Sequence, residues 1–239
     1  MDFAGIRALS FDCYGTLIDW ETGLADAVSV IHPGASLDRE RLLQVFAATE
    51  SDLERRTPGL RYSAVLELAY GELVSRLGLV PAADGATRFA RAIGDWPPFS
   101  DTPASLGALQ RHFRLVVLSN VDRASFALTH PKLGVRMDAV FTAEEIGSYK
   151  PDRRNFEFLL ERMREAGVSA SQLVHVAQSR YHDIEPASAL GLRTVWVDRR
   201  HGRPGWGATP PPAGGAEPDL TVQSLAELAA RAAGSASRT

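Results

Sequence analysis

The sequence has little cysteine and no excess of positive charge. Among its 239 residues there is one cysteine, Cys13, so no disulfide can form within the chain. A formal net charge of −3 gives no basic field of the kind that selects nucleic acid or an anionic membrane surface. Internal repeats, membrane-spanning apolar segments and a signal-peptide pattern are also lacking. These absences predict a reduced, cytoplasmic, globular protein without nucleic-acid or membrane partners.

Apolar runs of strand length recur along the chain and alternate with helical patterns. The first run, residues 6–11, directly precedes Asp12. Continuous apolar runs of this length indicate strands that are buried on both faces. Their alternation with helices predicts an α/β fold with a parallel, doubly wound sheet of four or five strands. The later runs occupy residues 115–118, 139–141, 174–176 and 194–197.

The stretch between the first two strands has helical spacing and no strand pattern. Apolar residues recur at i, i+3, i+4 and i+7 from Leu24 to Ile31, and similar spacing follows. Trp96-Pro97-Pro98 ends this pattern because proline cannot continue a helix. We therefore predict a core, an inserted helical cap and a flexible tail. The core comprises residues 1–19 and 97–233, the cap residues 20–96 and the tail residues 234–239.

Two segments near the end of the core have their own patterns. Residues 199–218 are rich in glycine and proline and predict a loop. This loop either forms a wall of a binding site at the carboxyl end of a strand or is a surface excursion. Residues 220–233 predict a closing helix.

Asp12 is the candidate nucleophile. A buried strand that ends in a carboxylate and turns through a glycine, here Gly15, presents a reactive group at the carboxyl edge of an open sheet. An ordinary Asp-Gly turn is the alternative. Three later polar stretches also follow apolar runs, which favours the catalytic interpretation. Cys13 lacks an evident base or positive partner, so we interpret it as a packing residue.

Four short stretches stand out together along the chain. They are Phe11-Asp-Cys-Tyr-Gly-Thr-Leu17, Leu118-Ser-Asn120, Lys150-Pro151 and Gln178–Asp183. In order and spacing they resemble the four motifs of the haloacid dehalogenase superfamily. The resemblance implies a Rossmann-like core, a helical cap after the first strand and a covalent aspartyl intermediate, which divides one difficult hydrolysis into two easier displacements.

Two differences from the phosphatases of the superfamily argue against a phosphatase reaction. Those enzymes resemble one another in a second Asp two residues after the nucleophile, where this chain has Tyr14, a poor proton exchanger near neutrality. They also carry paired acids in the fourth loop to hold Mg²⁺, where this chain has Gln178 and retains only Asp183. Tyr14 instead resembles the L-2-haloacid dehalogenase branch, which implies displacement at carbon without a metal or other cofactor.

The resemblance implies roles for residues at the strand ends. Asp12 attacks carbon, and Thr16 and Ser119 hydrogen-bond its carboxylate or that of the substrate. Asn120 lies at the leaving-group or anion pocket. A plainer interpretation is that Ser119-Asn120 caps the following turn.

Lys150 and Asp183 complete the implied catalytic set. Lys150 keeps Asp12 ionised, because a nearby opposite charge favours the charged form. Asp183 pairs with Lys150 or orients the hydrolytic water. The alternatives are a solvated loop lysine and a helix N-cap ahead of Pro186.

The cap and the fourth loop depart from the haloacid dehalogenases. Ala47 stands where the resemblance implies a cap arginine, and Phe156 stands where it implies a tyrosine after the lysine. Tyr14, Ser179 and His182 are candidate substrate-binding residues. For His182, a base for the water step and a structural hydrogen-bond partner both remain open.

Four longer runs carry a further resemblance. They are Asp12–Gly23, Gly147–Pro151, Tyr181–Asp183 and Arg199–Gly202. These runs are similar to L-azetidine-2-carboxylate hydrolases, which open a strained ring by expelling an amine instead of a halide. Glu50 on the cap would then supply the complementary charge for a cationic nitrogen, although a solvated helix face is the ordinary interpretation.

The sequence thus predicts a metal-independent hydrolase that displaces a leaving group from a small 2-substituted carboxylic acid through an Asp12 ester. Haloacid dehalogenation is the first expectation and ring opening of azetidine-2-carboxylate the nearest alternative. A Mg²⁺-dependent phosphatase and a catalytically silent binding protein are the others. The dehalogenase resemblance also implies a possible homodimer.

Overall fold

A single parallel sheet organises the chain. The computed structural model describes residues 1–236, and its six strands lie in the order β3-β2-β1-β4-β5-β6. All adjacent pairs are parallel. The predicted α/β, Rossmann-like fold is confirmed. The strands are β1 (Ala8–Phe11), β2 (Arg114–Ser119), β3 (Ala139–Thr142), β4 (Leu173–Ala177), β5 (Arg193–Val197) and β6 (Leu220–Val222).

The register of the central strands brings their polar ends together. Phe11, the last residue of β1, lies opposite Val117 of β2 and Val176 of β4. In parallel strands the carboxyl ends share one edge, and the reversal of strand order at β1 opens a crevice there. Asp12 therefore enters that crevice between the residues that follow β2 and β4.

Helices cover both faces of the sheet, which explains the unbroken apolar runs. Leu115 and Val117 of β2 pack in one apolar cluster, whereas Val116 and Leu118 pack in the other. Because successive side chains of a strand point to opposite faces, both faces must be apolar. The covering helices are α5 (Thr102–Leu109), α6 (Arg123–Thr129), α7 (Ala143–Ile146), α8 (Arg154–Glu165), α9 (Glu185–Ala189) and α10 (Leu225–Ala236), numbered after the four cap helices below.

The segment between β1 and β2 is helical, as its spacing predicted. It leaves and re-enters the sheet region through two paired segments, with Asp19 N donating to Pro97 O at 2.8 Å and Phe99 N to Leu17 O at 3.1 Å. The division into core and cap stays a proposal, which this shared entry and exit supports. The helices are α1 (Trp20–Ile31), α2 (Arg39–Arg56), α3 (Tyr62–Leu77) and α4 (Gly85–Arg91), followed by a short turn at Ala92–Gly94.

The end of the core corrects two predictions. Leu220–Val222 pairs beside β5 as a sixth strand, so the expected closing helix begins only at Leu225. Asp101 sets that start, because its Oδ2 accepts from Leu225 N at 2.8 Å. The helix then continues to Ala236, so a tail from residue 234 is wrong for 234–236, and 237–239 lie outside the described residues.

The loop predicted at 178–183 is also more regular than expected. Residues Arg180–Ile184 form one wide helical turn, in which Ile184 N donates to Ser179 O at 3.2 Å. This i→i+5 pattern is typical of functional sites. Among residues 1–236, no helix is both long and apolar enough to cross a membrane.

Candidate active site

Asp12 is held at the end of β1 by a tight turn. Gly15 has φ +96°, a conformation that side chains rarely adopt, and its turn places Thr16 beside the carboxylate. Thr16 Oγ1 donates to Asp12 Oδ2 at 2.7 Å and accepts from Gln178 N at 2.8 Å. Asp12 is only 7% exposed. Thr16 therefore fixes Oδ2 of Asp12, and Oδ1 is left for a different donor.

That donor is the ammonium group of Lys150. Its Nζ donates to Asp12 Oδ1 at 2.9 Å, to Asp183 Oδ1 at 2.6 Å and to Leu118 O at 3.0 Å. Lys150 is 2% exposed, so the interpretation as a solvated loop lysine is wrong. Burial alone would lower the pKa of Lys150, but the two carboxylates outweigh it and raise the pKa. Lys150 is thus a permanent cation between two acids.

Asp183 is the better stabilised of those acids. Its Oδ1 also lies 2.9 Å from His175 Nε2, and His175 Nδ1 lies 2.9 Å from Ser10 Oγ. Burial raises the pKa of Asp183, but Lys150 and His175 together bring that pKa below its ordinary value. No helix-capping bond from Asp183 is present among residues 1–236, so the N-cap interpretation is wrong. The side chain is used to hold Lys150 instead.

The pKa of Asp12 is displaced in the opposite direction. Burial raises it, Lys150 opposes this effect, and the negative charge of Asp183 adds to it. Asp12 is therefore less strongly paired than Asp183, which also contacts His175. Of the two carboxylates that share Lys150, Asp12 is the one with the higher basicity, which suits a nucleophile.

Asn120 connects the core to the lysine loop and the cap. Its Nδ2 donates to Lys150 O at 3.0 Å and to Glu54 Oε2 at 3.1 Å, and its Oδ1 accepts from Lys150 N at 2.7 Å. The capping interpretation is wrong, since Asp122 caps α6 by accepting from Ser125 N. Asn120 fixes the backbone at Lys150 and contributes its remaining surface to the cavity described below.

Two buried glutamates of α2 form the cap side of the site. Glu50 and Glu54 are 4% and 5% exposed, so a solvated helix face is wrong for Glu50. Tyr62 donates its hydroxyl proton to Glu50 Oε1. Burial raises the pKa of Glu50 to about 8, and burial together with the charge of Glu50 raises the pKa of Glu54 well above its ordinary value. Sequence reasoning missed Glu54, although its i, i+4 spacing from Glu50 places both on one helix face.

The fourth loop supplies a neutral imidazole. Ser179 Oγ lies 3.2 Å from His182 Nδ1 and accepts from His182 N at 2.9 Å. Burial lowers the pKa of His182 to about 4. His182 Nε2 is buried and has no hydrogen-bond partner, and the same holds for Ser119 Oγ. Both residues line the cavity described below, and each of these two atoms is left with an unused hydrogen-bonding capacity.

One cavity collects nearly all the predicted site residues. Thr16 is the exception, because it lies behind the Asp12 carboxylate and acts only through it. Thr209 shows that the loop 199–218 contributes to the wall of the site. The residues that line the cavity are Asp12, Tyr14, Trp20, Glu50, Glu54, Tyr62, Ser119, Asn120, Val121, Lys150, Ser179, His182, Asp183 and Thr209.

Tyr14 contributes a ring more than a hydroxyl. Its OH is bonded to Thr129 Oγ1 at 2.7 Å, and burial raises its pKa well above the ordinary value. The ring packs edge-on against Trp96 at 5.7 Å between centroids. Tyr14 is therefore a fixed apolar wall and not a proton carrier. Burial likewise raises the pKa of the Cys13 thiol well above its ordinary value, which fits the packing interpretation.

Two arginines beyond the cavity were not assigned roles from the sequence. Arg199 Nη2 donates to Thr16 O at 2.9 Å and thereby holds the nucleophile turn from outside. Arg200 pairs with Glu21 of α1 at 2.8 Å and with Glu40 of α2 at 2.7 Å. The pair joins the loop 199–218 to both the core and the cap helices.

The donor set does not fit Mg²⁺. Lys150 Nζ already lies within hydrogen-bond distance of both carboxylates that could bridge a cation. Gln178 adds no carboxylate, and its Oε1 lies near Gly15 instead. Within the described part of the chain, no group of three or more His, Cys, Asp or Glu side chains has a metal-binding arrangement.

Comparison with known proteins assigns the family. The family model described as haloacid dehalogenase-like hydrolase matches residues 6–191. This chain is a haloacid dehalogenase-like hydrolase. (S)-2-haloacid dehalogenase 1 of Pseudomonas sp. strain CBS-3 is 30% identical to it over 204 residues, which cover 81% of this chain and 85% of that protein. The haloacid dehalogenase resemblance of the motifs is thereby confirmed.

Two further similarities show the breadth of this family. A phosphoserine phosphatase of Thermus thermophilus is 30% identical over 183 residues, which cover 72% of this chain and 69% of that protein. The L-2-haloacid dehalogenase of Xanthobacter autotrophicus, solved with chloropropionic acid covalently bound, superposes with a TM-score of 0.79 at 20% identity. That superposition covers 96% of this chain and 99% of the other, and it shows the shared fold.

Proposed function

We propose that this haloacid dehalogenase-like hydrolase acts at the carbon of a small 2-substituted carboxylic acid through an ester to Asp12. Support comes from the paired arrangement of Asp12 and Lys150, with Thr16 holding the second oxygen. A carboxylate nucleophile must be ionised and aimed, and these two donors achieve both. No metal-dependent step is needed in this scheme.

The leaving group follows from the charge of the cavity. Lys150 is the only permanent cation among the lining residues, and its ammonium is already shared between Asp12 and Asp183. Glu50 and Glu54 face the same space from α2. A cationic nitrogen would favour the ionised form of these two carboxyl groups and form an ion pair with them. A departing halide would instead approach two further acidic groups. We therefore propose an amine leaving group, carried by a strained cyclic amino acid such as L-azetidine-2-carboxylate.

With that substrate, the reaction has two steps, ring opening at C2 and hydrolysis of the ester. An Asp12 carboxylate oxygen forms a bond to C2 while the C2–N bond breaks, and the electron pair goes to nitrogen. The ring opens to a primary amine, which remains joined to C4. Water then adds to Asp12 Cγ, the ester C–O bond breaks, and the carboxylate is restored. The proton released by ester hydrolysis is taken up by the amine, so the product is 2-hydroxy-4-aminobutyrate.

Core residues have defined parts in both steps. Ser119 Oγ, which is buried and unpartnered, would donate to the substrate carboxylate. Lys150 lowers the cost of the ionised nucleophile before attack and of the restored carboxylate afterwards. Asp183 holds Lys150 through the 2.6 Å contact and, as a lining residue, would orient the water.

A 2-haloacid is the second candidate substrate. The observation that favours it is the similarity to (S)-2-haloacid dehalogenase 1, which extends over most of both chains. The same Asp12 ester would form with halide as the leaving group. If Glu50 and Glu54 stay protonated, as their raised pKa values allow at neutral pH, the cavity would tolerate an anion.

A metal-free product assay distinguishes these candidates. The protein is incubated with EDTA and either L-azetidine-2-carboxylate or L-2-chloropropionate, and products are read by mass spectrometry against Asp12→Asn. We expect 2-hydroxy-4-aminobutyrate from the first and little lactate from the second. Lactate alone would overturn the amine proposal in favour of dehalogenation.

A labelling experiment tests the ester itself. In H₂¹⁸O under single-turnover conditions, the product hydroxyl should carry ¹⁶O from Asp12, and ¹⁸O should appear in the protein. Direct attack of water on the substrate would place ¹⁸O in the product and would contradict the ester. If neither substrate reacts, turnover of a phosphate monoester with Mg²⁺ would support the phosphatase reading, and its absence a silent binding protein.

A further inference from the structure

His182 carries a buried ring nitrogen that has no hydrogen-bond partner within residues 1–236. It is 8% exposed, it lines the cavity, and its Nε2 is buried without a hydrogen bond. A buried polar atom left unpaired is costly, so such atoms in a binding cavity are usually completed by a ligand or water. The other ring nitrogen, Nδ1, is occupied by Ser179 Oγ at 3.2 Å.

The orientation of the ring is fixed from two directions. Ser179 Oγ meets both the backbone N–H and Nδ1 of His182, so the ring cannot rotate without losing the Nδ1 contact. Tyr181 packs edge-on against it with ring centroids 4.8 Å apart. Nε2 is consequently a positioned atom and not a mobile one, as a specificity-determining group requires.

We propose that His182 Nε2 accepts a hydrogen bond from the substrate ammonium, with Nδ1–H donating to Ser179 Oγ. This inference rests on the amine leaving group of the proposed function and names a second group that recognises it. A secondary ring ammonium has two N–H groups. One is directed to the carboxyl pair of Glu50 and Glu54, and the other to His182.

The charge state of the imidazole agrees with this assignment. Burial lowers the pKa of His182 to about 4, so at neutral pH the ring is uncharged and retains one lone pair for a donor. A protonated imidazole would repel the ammonium. A carbon-bound halogen offers no N–H, so His182 distinguishes an amine from a halide.

Three variants test the role of His182 in turnover. His182→Phe removes the acceptor and keeps an aromatic ring, and His182→Gln restores an acceptor near the position of Nε2. His112→Phe is the matched control, since His112 is exposed before β2, at the opposite edge of the sheet. We expect His182→Phe to reduce kcat/KM for azetidine-2-carboxylate about 10- to 100-fold, mainly through KM, as loss of a hydrogen bond to a charged group implies. His182→Gln should recover part of this loss.

The protonated nitrogen can be observed directly. In Asp12→Asn labelled with ¹⁵N, the His182 resonances should report Nδ1 protonated and Nε2 unprotonated, and Nε2 should shift when azetidine-2-carboxylate is added. A protonated Nε2 in the free protein that stays unshifted by ligand would overturn the proposal. This measurement does not depend on folding of the His182 variants.

The outcomes separate this inference from the proposed function. Ring opening with His182→Phe equal to the wild type would leave the function standing and refute the role of His182. Binding that shifts Nε2 without ring opening would refute the function and support His182 as an ammonium acceptor. Absence of both binding and turnover of azetidine-2-carboxylate would refute both.

Discussion

The core and cap sides of the cavity differ in how their charges are balanced. On the core side, Lys150 joins Asp12 and Asp183 at 2.9 and 2.6 Å. On the cap side, neither Glu50 nor Glu54 forms an ion pair within residues 1–236, and the two accept instead from the neutral donors Tyr62 and Asn120. Buried acids without a cation are held protonated, whereas paired acids stay ionised. The core side thus holds a paired carboxylate, whereas the cap side holds two unpaired acids, to which the proposed function assigns a cationic nitrogen.

The largest expected effect comes from breaking the core pair. Lys150→Met leaves two buried carboxylates without their cation, so Asp12 takes up a proton and loses its nucleophilicity. We expect turnover to fall by at least about 10⁴-fold and stability by about 3–5 kcal/mol. Activity measured by mass spectrometry and urea unfolding check this.

Lys132→Met is the matched control for that experiment. Lys132 donates to backbone carbonyls near the cap exit, including Trp96 O at 2.8 Å, and does not line the cavity. It should lose some stability and keep its catalytic rate. If Lys150→Met retains more than a tenth of wild-type turnover, the paired nucleophile is not what drives the reaction.

The next largest effect is expected from Glu50→Gln, and its sign should depend on the charge of the substrate. Glu50→Gln keeps the acceptor for Tyr62 but removes the ionisable group, so an ammonium loses its counter-charge. We expect KM for azetidine-2-carboxylate to rise about 10- to 100-fold, as loss of an ion pair in a buried site implies. KM for L-2-chloropropionate should stay unchanged or fall. Equal losses on both substrates would show that Glu50 is structural.

The pH profiles should diverge in the same way. Because the pKa of Glu50 lies at about 8, its carboxyl is mostly protonated at pH 7 and ionises as the pH rises. A bound cation favours the ionised form, so kcat/KM for the amine should increase by up to about tenfold per pH unit below pH 8 and then level off. For an anionic haloacid the dependence should have the opposite sign. Parallel profiles would remove Glu50 from the assignment.

The smallest effect is on stability. The pKa of Glu50 is raised on folding to about 8, so the folded state binds a proton that the unfolded state releases above pH 4.5. The stability that this bound proton contributes is therefore fully present below pH 4.5, and it is lost as the pH rises towards 8. Glu50→Gln should stabilise the protein by about 2–3 kcal/mol at pH 7. A thermal melt at pH 5 and pH 8 checks it, with a larger gain at pH 8.

The two sides also differ in how far they could be predicted. Asp12, Ser119, Lys150 and Asp183 each follow the end of a recognisable element, and the structure places all four in one cavity. For Glu54 the local signal was only its i, i+4 spacing from Glu50, which does not by itself distinguish a buried glutamate from a solvated one. Its hydrogen-bond donor, Asn120, is 66 residues away in the chain.

The sixth strand was missed for the same reason. Leu220–Val222 reads locally as part of a helix, yet it becomes a strand because β5 offers an unpaired edge beside it. For Asp183, the pairing with Lys150 that the resemblance implied is present at 2.6 Å, and the alternative of a helix N-cap is not. Partners distant in sequence outweighed the local preference at both places, as tertiary contacts commonly do.

By itself, the sequence determined the positions of the first five strands, the family and the candidate nucleophile, because apolar periodicity and short motifs are local and persist without tertiary contacts. Only the tertiary structure decided which buried acidic groups form ion pairs and which lie unpaired in the cavity. The pKa values of Glu50 and His182 depend on burial, and burial is a property of the packed chain and not of any residue within it.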